Sequence, residues 1–295
     1  MADSFSAKPT VALHQAIEAG RADEIESLLA AKANPNARTP DGWTFLVFAV
    51  SRGNEWVIEN LIRGGAGVND HCIEPVDKTR LLLTPAMRRI RSQPEENPIR
   101  ATGWTALMEA TRVRSHNLIK LLAAHGADPN ATTAREHTAL IEAGAIGAAS
   151  IASTLLEIGA QVNQPSSDGR TPLHYVMGRG YQEAMNVLLG GGANPNQADH
   201  QGVTPMMRAV RFGNREAIET LFRLGAEVNA VSRDGGSALS FAAEIGSATL
   251  VELLLDHGGD RLMRSPAGEK VIRKAAASGS NETYRLVRCF RPGRA

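Results

Sequence analysis

Chemistry in this 295-residue chain would have to come from its eight histidines, its two cysteines and its carboxylates. A metal site needs three or four His, Cys, Asp or Glu side chains to converge, and local pairs such as Cys-x-x-Cys or His-x-x-x-His commonly supply half of them. The adjacent pair His71 and Cys72 has no such partner nearby in sequence. Cys72 and Cys289 lie far apart and read as free thiols of a reducing compartment. Gly-x-Ser-x-Gly elbow, phosphate loop and dinucleotide fingerprint are all missing. The 31 Asp and Glu fall mostly where second helices and loops are expected, and read as solvated charge. The expectation is a protein without catalytic residues, metal or cofactor. An enzyme using the inserted residues 71–99 as its active site is the alternative, and hydrolysis lost on mutating His71 would revive it.

The elements that carry these residues repeat. Residues 168–196 read as a turn, Thr-Pro-Leu-His, a short apolar helix, a glycine, a second helix ending in Leu-Leu, and Gly-Ala-x-x-Asn. The Thr position recurs at Thr105, Thr138, Thr171, Thr204 and Ser237, each 33 residues after the last. The glycine after the second helix recurs in step at Gly126, Gly159, Gly192, Gly225 and Gly258. The chemistry of each slot is legible. Thr caps a helix by accepting a hydrogen bond from an otherwise unpaired N–H, and Pro172 and Pro205 follow it at the first helical position, where no N–H is needed. Gly180, Gly213 and Gly246 end the first helix in a left-handed turn. Arg114 stands in that slot as the odd residue. Leu121-Leu122, Leu155-Leu156, Leu188-Leu189 and Leu253-Leu254 are expected to form the core between units.

Register is interrupted once. Thr105 follows Thr44 by 61 residues, one repeat plus 28. The extra residues are placed at 71–99, in the hairpin joining the second and third units, as an enlarged finger. Within it DKTRLLL reads as apolar enough to pack back, Thr84-Pro85 as the start of a short helix, and residues 94–98 as open loop. The first unit is polar and carries Lys32 in place of the glycine, and the last is degenerate from Glu269 onward; both read as caps.

A fixed period near 33 with Thr-Pro-Leu-His is the pattern of ankyrin repeats, and the chain resembles that family over nearly its full length. The resemblance implies an all-α solenoid of about eight helix-turn-helix units joined by β-hairpin turns. The units fall near residues 10–38, 39–70, 101–131, 134–164, 167–197, 200–230 and 233–263, with a cap at 266–291, and form a single domain. It implies that His14 and His174 hydrogen-bond the neighbouring turn; His125 and His257, each before a repeat glycine, also read as structural.

The resemblance further implies partner binding on the concave face, lined by hairpin tips and first-helix ends. Position by position this selects Trp43, Arg52, Trp104, Arg112, Arg135, Arg170, Arg179, Arg211, Phe212 and Arg233, with Arg88, Arg89 and Arg91 on the finger. Arginines beside aromatics are the residue types that dominate interface hot spots, and guanidinium pairs bidentately with carboxylates. The expected partner is therefore a protein with an acidic surface. The competing reading has both Trp packed on neighbouring hairpins and the Arg as plain solvated charge. Net charge is +1, with nine Lys or Arg against two Glu in residues 261–295. That basic end has few interleaved aromatics, Tyr284 and Phe290, so nucleic acid and membrane are not expected partners. Residues 1–10 have no signal-peptide core and no run approaches a membrane span, so a cytoplasmic monomer is expected, with signal-independent secretion left open. Usage rich in Ala, Arg and Gly suits a bacterial source. The roles that follow are toxin inhibitor, immunity protein or adaptor, with a secreted effector binding a host protein as the alternative.

Overall fold

The computed structural model describes residues 8–73, 102–178, 180–262 and 271–289. Among them run sixteen helices in eight pairs. The pairs are α1 (Lys8–Ala19) with α2 (Ala22–Ala30), α3 (Phe45–Arg52) with α4 (Glu55–Arg63), α5 (Ala106–Arg112) with α6 (His116–Ala124), and α7 (Ala139–Ala145) with α8 (Ala149–Glu157). Then follow α9 (Pro172–Val176) with α10 (Gln182–Gly190), α11 (Pro205–Arg211) with α12 (Arg215–Arg223), α13 (Ala238–Ile245) with α14 (Ala248–Asp256), and α15 (Val271–Ala277) with α16 (Asn281–Cys289). Two isolated bridges, Arg38 with Thr44 and His71 with Thr105, are the β pairing among the described residues. The fold is the all-α repeat solenoid that the period implies.

Contacts divide the chain into two compact units, where the sequence suggests one uniform array. The first holds residues 1–143 and 154–161, the second residues 144–153 and 162–295. In a repeat array each unit touches only its neighbours, so contacts thin out with distance along the chain. Within the first unit α3 packs on α1 and α5; within the second α11 packs on α9 and α13, and α13 on α15.

The caps form as their residues dictate. Oγ of Thr44, Thr105, Thr138, Thr204 and Ser237 each accepts from the N–H three residues on. Asn54, Ser115, Asn214 and Ser247 do the same for second helices. The repeated Asn has a role the period alone does not disclose. Asn36 Nδ2 donates to Gly65 O while its Oδ1 accepts from Gly67 N. Asn69, Asn130, Asn163, Asn196 and Asn229 repeat this bidentate link to the following turn. Gly180, Gly213 and Gly246 have φ of 68°, 71° and 76°, as their slot requires. Three non-glycine residues also take positive φ, Lys32 (63°), Arg114 (57°) and Glu136 (55°), and each fills a slot that other repeats give to glycine.

The leucine pairs need correction. Leu122, Leu155 and Leu188 are fully buried while Leu121, Leu156 and Leu189 are half-buried; in the last full repeat both Leu253 and Leu254 are buried. Adjacent residues are about 100° apart around a helix, so one face usually takes one of the two. Each fully buried leucine is worth roughly 1.5–3 kcal/mol.

The hairpin between the second and third units is closed at its base. Cys72 N donates to Trp104 O and Gly103 N to Cys72 O, the pattern that Thr39 makes with Trp43 and Gly42. Asn69 reaches Gly126 directly. Residues 71–73 are therefore regular hairpin, and the extra 28 residues enter at 74–101 rather than 71–99. The apolar DKTRLLL, the Thr84 helix start and Arg88, Arg89 and Arg91 lie outside the described residues.

Candidate functional site

The residues that shape a face on each unit stand four positions after the capping Thr, inside the first helix. From the first unit this column supplies Phe48, Glu109 and Glu142; from the second Tyr175, Arg208, Phe241 and Lys274. Sequence reasoning passed over it because it followed first-helix ends and hairpin tips. The signal was available: the slot alternates aromatic and cation through four successive repeats.

In the first unit the column is acidic and internally neutralised. Glu109 is fully buried, and Arg112 reaches it with Nη2 at 2.5 Å and Nε at 3.0 Å. Trp104 Nε1 donates to the same carboxylate at 3.1 Å. Burial pushes the Glu142 carboxyl up to about 7, partly offset by the Arg112 charge and reinforced by Glu109. Arg112 is thus the counter-ion of a buried acid pair, which corrects its assignment to a partner surface. Trp104 and Trp43 are corrected likewise: at 2% and 6% exposure they are core groups that hold the hairpins. Their amphipathic rings satisfy the same pattern whether turned out or in. Arg52 is exposed, 5.1 Å above the Phe48 ring and 3.8 Å from Glu18. Arg135 is exposed at its hairpin tip.

In the second unit Arg170 is half-buried, with Nε 3.0 Å from Asp168 and 3.7 Å from the buried Asp199. It too is engaged internally. Arg208 is half-buried, and its Nε has no hydrogen-bond partner. Burial and the neighbouring Arg170 hold its guanidinium below the usual arginine range. Arg211, one turn on, is exposed with its guanidinium 5.3 Å over the Phe241 ring. Phe212 is 57% and Ile245 52% exposed at the ends of α11 and α13, one repeat apart. Arg233 is exposed on its hairpin, and Arg179 lies outside the described residues. The first-helix ends that come together are Arg211 and Phe212 with Glu244 and Ile245 one repeat on, and the structure adds the nearly buried Phe241 and Lys274 beside them. A shallow cleft of about 180 Å³ is lined by Arg211, Phe241, Glu244 and Ile245.

Two glycines seat these aromatics. A Cβ on Gly178 would lie 2.6 Å from the Phe212 ring, and one on Gly236 2.5 Å from the tip of Phe241. Other repeats carry Trp, His, Arg or Val in the Gly236 slot.

Three histidines, His14, His174 and His257, make contacts within the fold. His174 Nδ1 accepts from Thr171 N at 3.1 Å and Nε2 donates to Val203 O at 3.1 Å, tying its helix to the next hairpin. Burial lowers its pKa to about 4. His257 donates to Leu253 O and stacks on Phe222 at 3.9 Å. His14 stacks on Phe45 and Phe48. His71 is exposed beside buried Cys72, whose thiol burial pushes up to about 12, so the thiolate needed for ligation or attack is disfavoured. Among the described residues no three His, Cys, Asp or Glu converge to hold a metal, and no helix is long and apolar enough to cross a membrane.

Comparison with known families gives one answer. A model of ankyrin repeats in three copies matches residues 79–166 and 145–232, and a model of ankyrin repeats in many copies matches residues 13–62. No curated protein matches the chain.

Proposed function

The chain belongs to the ankyrin-repeat family, and from that premise we infer that it is a protein-binding module whose partner docks on the first-helix face of the second unit. The observation that carries this reading is the exposed pair Phe212 and Ile245, one repeat apart, beside an Arg211 that forms no ion pair among the described residues. Large apolar side chains flanked by an open guanidinium are what interface centres use. The same charge favours an acidic partner surface. In the first unit the corresponding cation, Arg112, neutralises Glu109 instead, so the second unit offers the better contact. The role that suits such a face is stoichiometric: inhibition of an acidic partner, as an immunity protein inhibits a toxin, or its recruitment as an adaptor.

The test is affinity capture from the source cells with tagged protein, read by mass spectrometry, beside a Phe212→Asp/Ile245→Asp variant. One stoichiometric acidic protein, absent from the variant's capture, is the expected result. A partner retained equally by the variant would overturn the placement of the face.

A further inference from the structure

Around Phe241 the second unit holds more charge than its repeat position needs. The ring is 8% exposed and rests against Gly236. Two cations stand over it, the Arg211 guanidinium at 5.3 Å and Lys274 Nζ at 5.5 Å from its centroid. A cation above an aromatic face is attracted by the ring, but its hydrogen-bond donors stay unfilled. Lys274 fills one with Glu244 at 3.0 Å; that carboxylate side chain is 60% exposed, whereas Lys274 is 21% exposed. Clefts of about 180 Å³ and 340 Å³ open on either side of Glu244, the first lined by Arg211 and Ile245, the second by Arg273. Lys274 thus pairs with Glu244, and Arg211 and Arg273 line the clefts beside that carboxylate.

Resting on the protein-binding reading, we propose that Arg211 and Lys274 over Phe241 form a carboxylate-recognition subsite for an acidic, apolar-flanked segment of the partner protein. In the free protein Glu244 is a built-in stand-in for that carboxylate. The partner's Asp or Glu displaces it from Lys274 and reaches Arg211 in the same step, which Glu244 does not. Ile245 and Phe212 take the apolar side chain beside the acid. A protein segment fits better than nucleic acid because the Phe241 face is already covered by cations, leaving no platform on which a base can stack.

The probe is a short fluorescent peptide, Ser-Gly-Asp-Leu-Glu-Ile-Asp-Gly-Ser, followed by anisotropy at low ionic strength. Its controls are an amide version (Asn and Gln for the acids), a version with Ser for Leu and Ile, and a thymidine oligonucleotide. The acidic apolar peptide binds tightest. Arg211→Gln and Lys274→Gln weaken it about ten-fold, the loss of one charge-assisted contact. Glu244→Gln, isosteric and exposed, tightens it several-fold, which a merely structural ion pair would not do. The proposal is overturned if Glu244→Gln weakens binding or leaves it unchanged, if the amide peptide or the oligonucleotide binds as well, or if no binding appears by about 1 mM. Failure here is distinguishable from failure of the broader reading. Capture abolished by Phe212→Asp/Ile245→Asp but indifferent to Glu244→Gln and Arg211→Gln would keep the face and remove the carboxylate subsite.

Discussion

Arg112 and Arg211 hold the same slot in different repeats and have opposite surroundings. Arg112 compensates a fully buried carboxylate. Removing one partner of such a pair leaves an uncompensated buried charge, so Arg112→Ala should cost about 3–5 kcal/mol in a denaturant melt. Arg211→Ala, exposed and without an ion pair among the described residues, should change stability by no more than about 0.5 kcal/mol. Equal effects would mean that the two environments are not different. Lys32 is exposed at φ 63° in a slot other repeats give to glycine. Lys32→Gly should therefore stabilise by about 1 kcal/mol, since a left-handed conformation costs an L side chain about that much and glycine almost nothing. At this scale the sequence disclosed which residues recur but not which way they face. Arg112 has Glu109 three residues before it where Arg211 has Arg208, but the sequence does not show that Glu109 is buried or that Phe241, in the next repeat, lies under Arg211. Trp43 and Trp104 were legible as hairpin residues, but an indole can hold a hairpin from inside or meet a partner from outside.

At the scale of elements, the period gave helix pairs, caps and turns directly, because each is decided by one or two residues in a fixed slot. Helix limits, positive-φ glycines and Thr caps follow from local hydrogen bonding alone. The asparagine links and the column through Tyr175, Arg208, Phe241 and Lys274 were harder to see, since each joins residues about one repeat apart and only stacking brings them together. The enlarged hairpin offers a direct test. Cys72, Gly103 and Trp104 close its base with the same backbone bonds as the Thr39 turn. Deleting residues 74–101 and joining Ile73 to Thr102 restores a turn of ordinary length. The shortened protein should stay folded, with a thermal midpoint within a few degrees of the full chain, because regular hairpins and the Asn69 link remain. Aggregation or loss of helical circular dichroism would mean that the inserted residues are part of the core.

At the scale of the whole molecule, two buried groups give the units opposite pH responses. Glu142, in the first unit, has its pKa raised to about 7 from 4.5. A raised folded-state pKa adds stability that is fully present below the unfolded value and is lost as pH rises through about 7. His174, in the second unit, has its pKa lowered to about 4 from 6.5, so its contribution is present above 6.5 and is lost as pH falls toward 4. All three tryptophans, Trp43, Trp56 and Trp104, lie in the first unit. Tryptophan fluorescence should therefore report a urea midpoint that falls between pH 5 and pH 8, and Glu142→Gln should flatten that slope. His174→Gln should reduce the loss of helical circular dichroism on acidification while leaving the fluorescence slope as it was. Coincident responses by both probes would contradict separate origins.

The central claim is that an acidic protein docks on Phe212, Ile245 and Arg211. The most direct measurement is a calorimetric titration of the captured partner into wild type and into Phe212→Asp/Ile245→Asp, at low and at physiological salt, with melting curves for both proteins. The account predicts nearly equal melting, affinity lower by about a hundred-fold in the variant, as losing two hot-spot residues implies, and weaker wild-type binding as salt rises. Equal affinities for wild type and variant, with no dependence on salt, would contradict it.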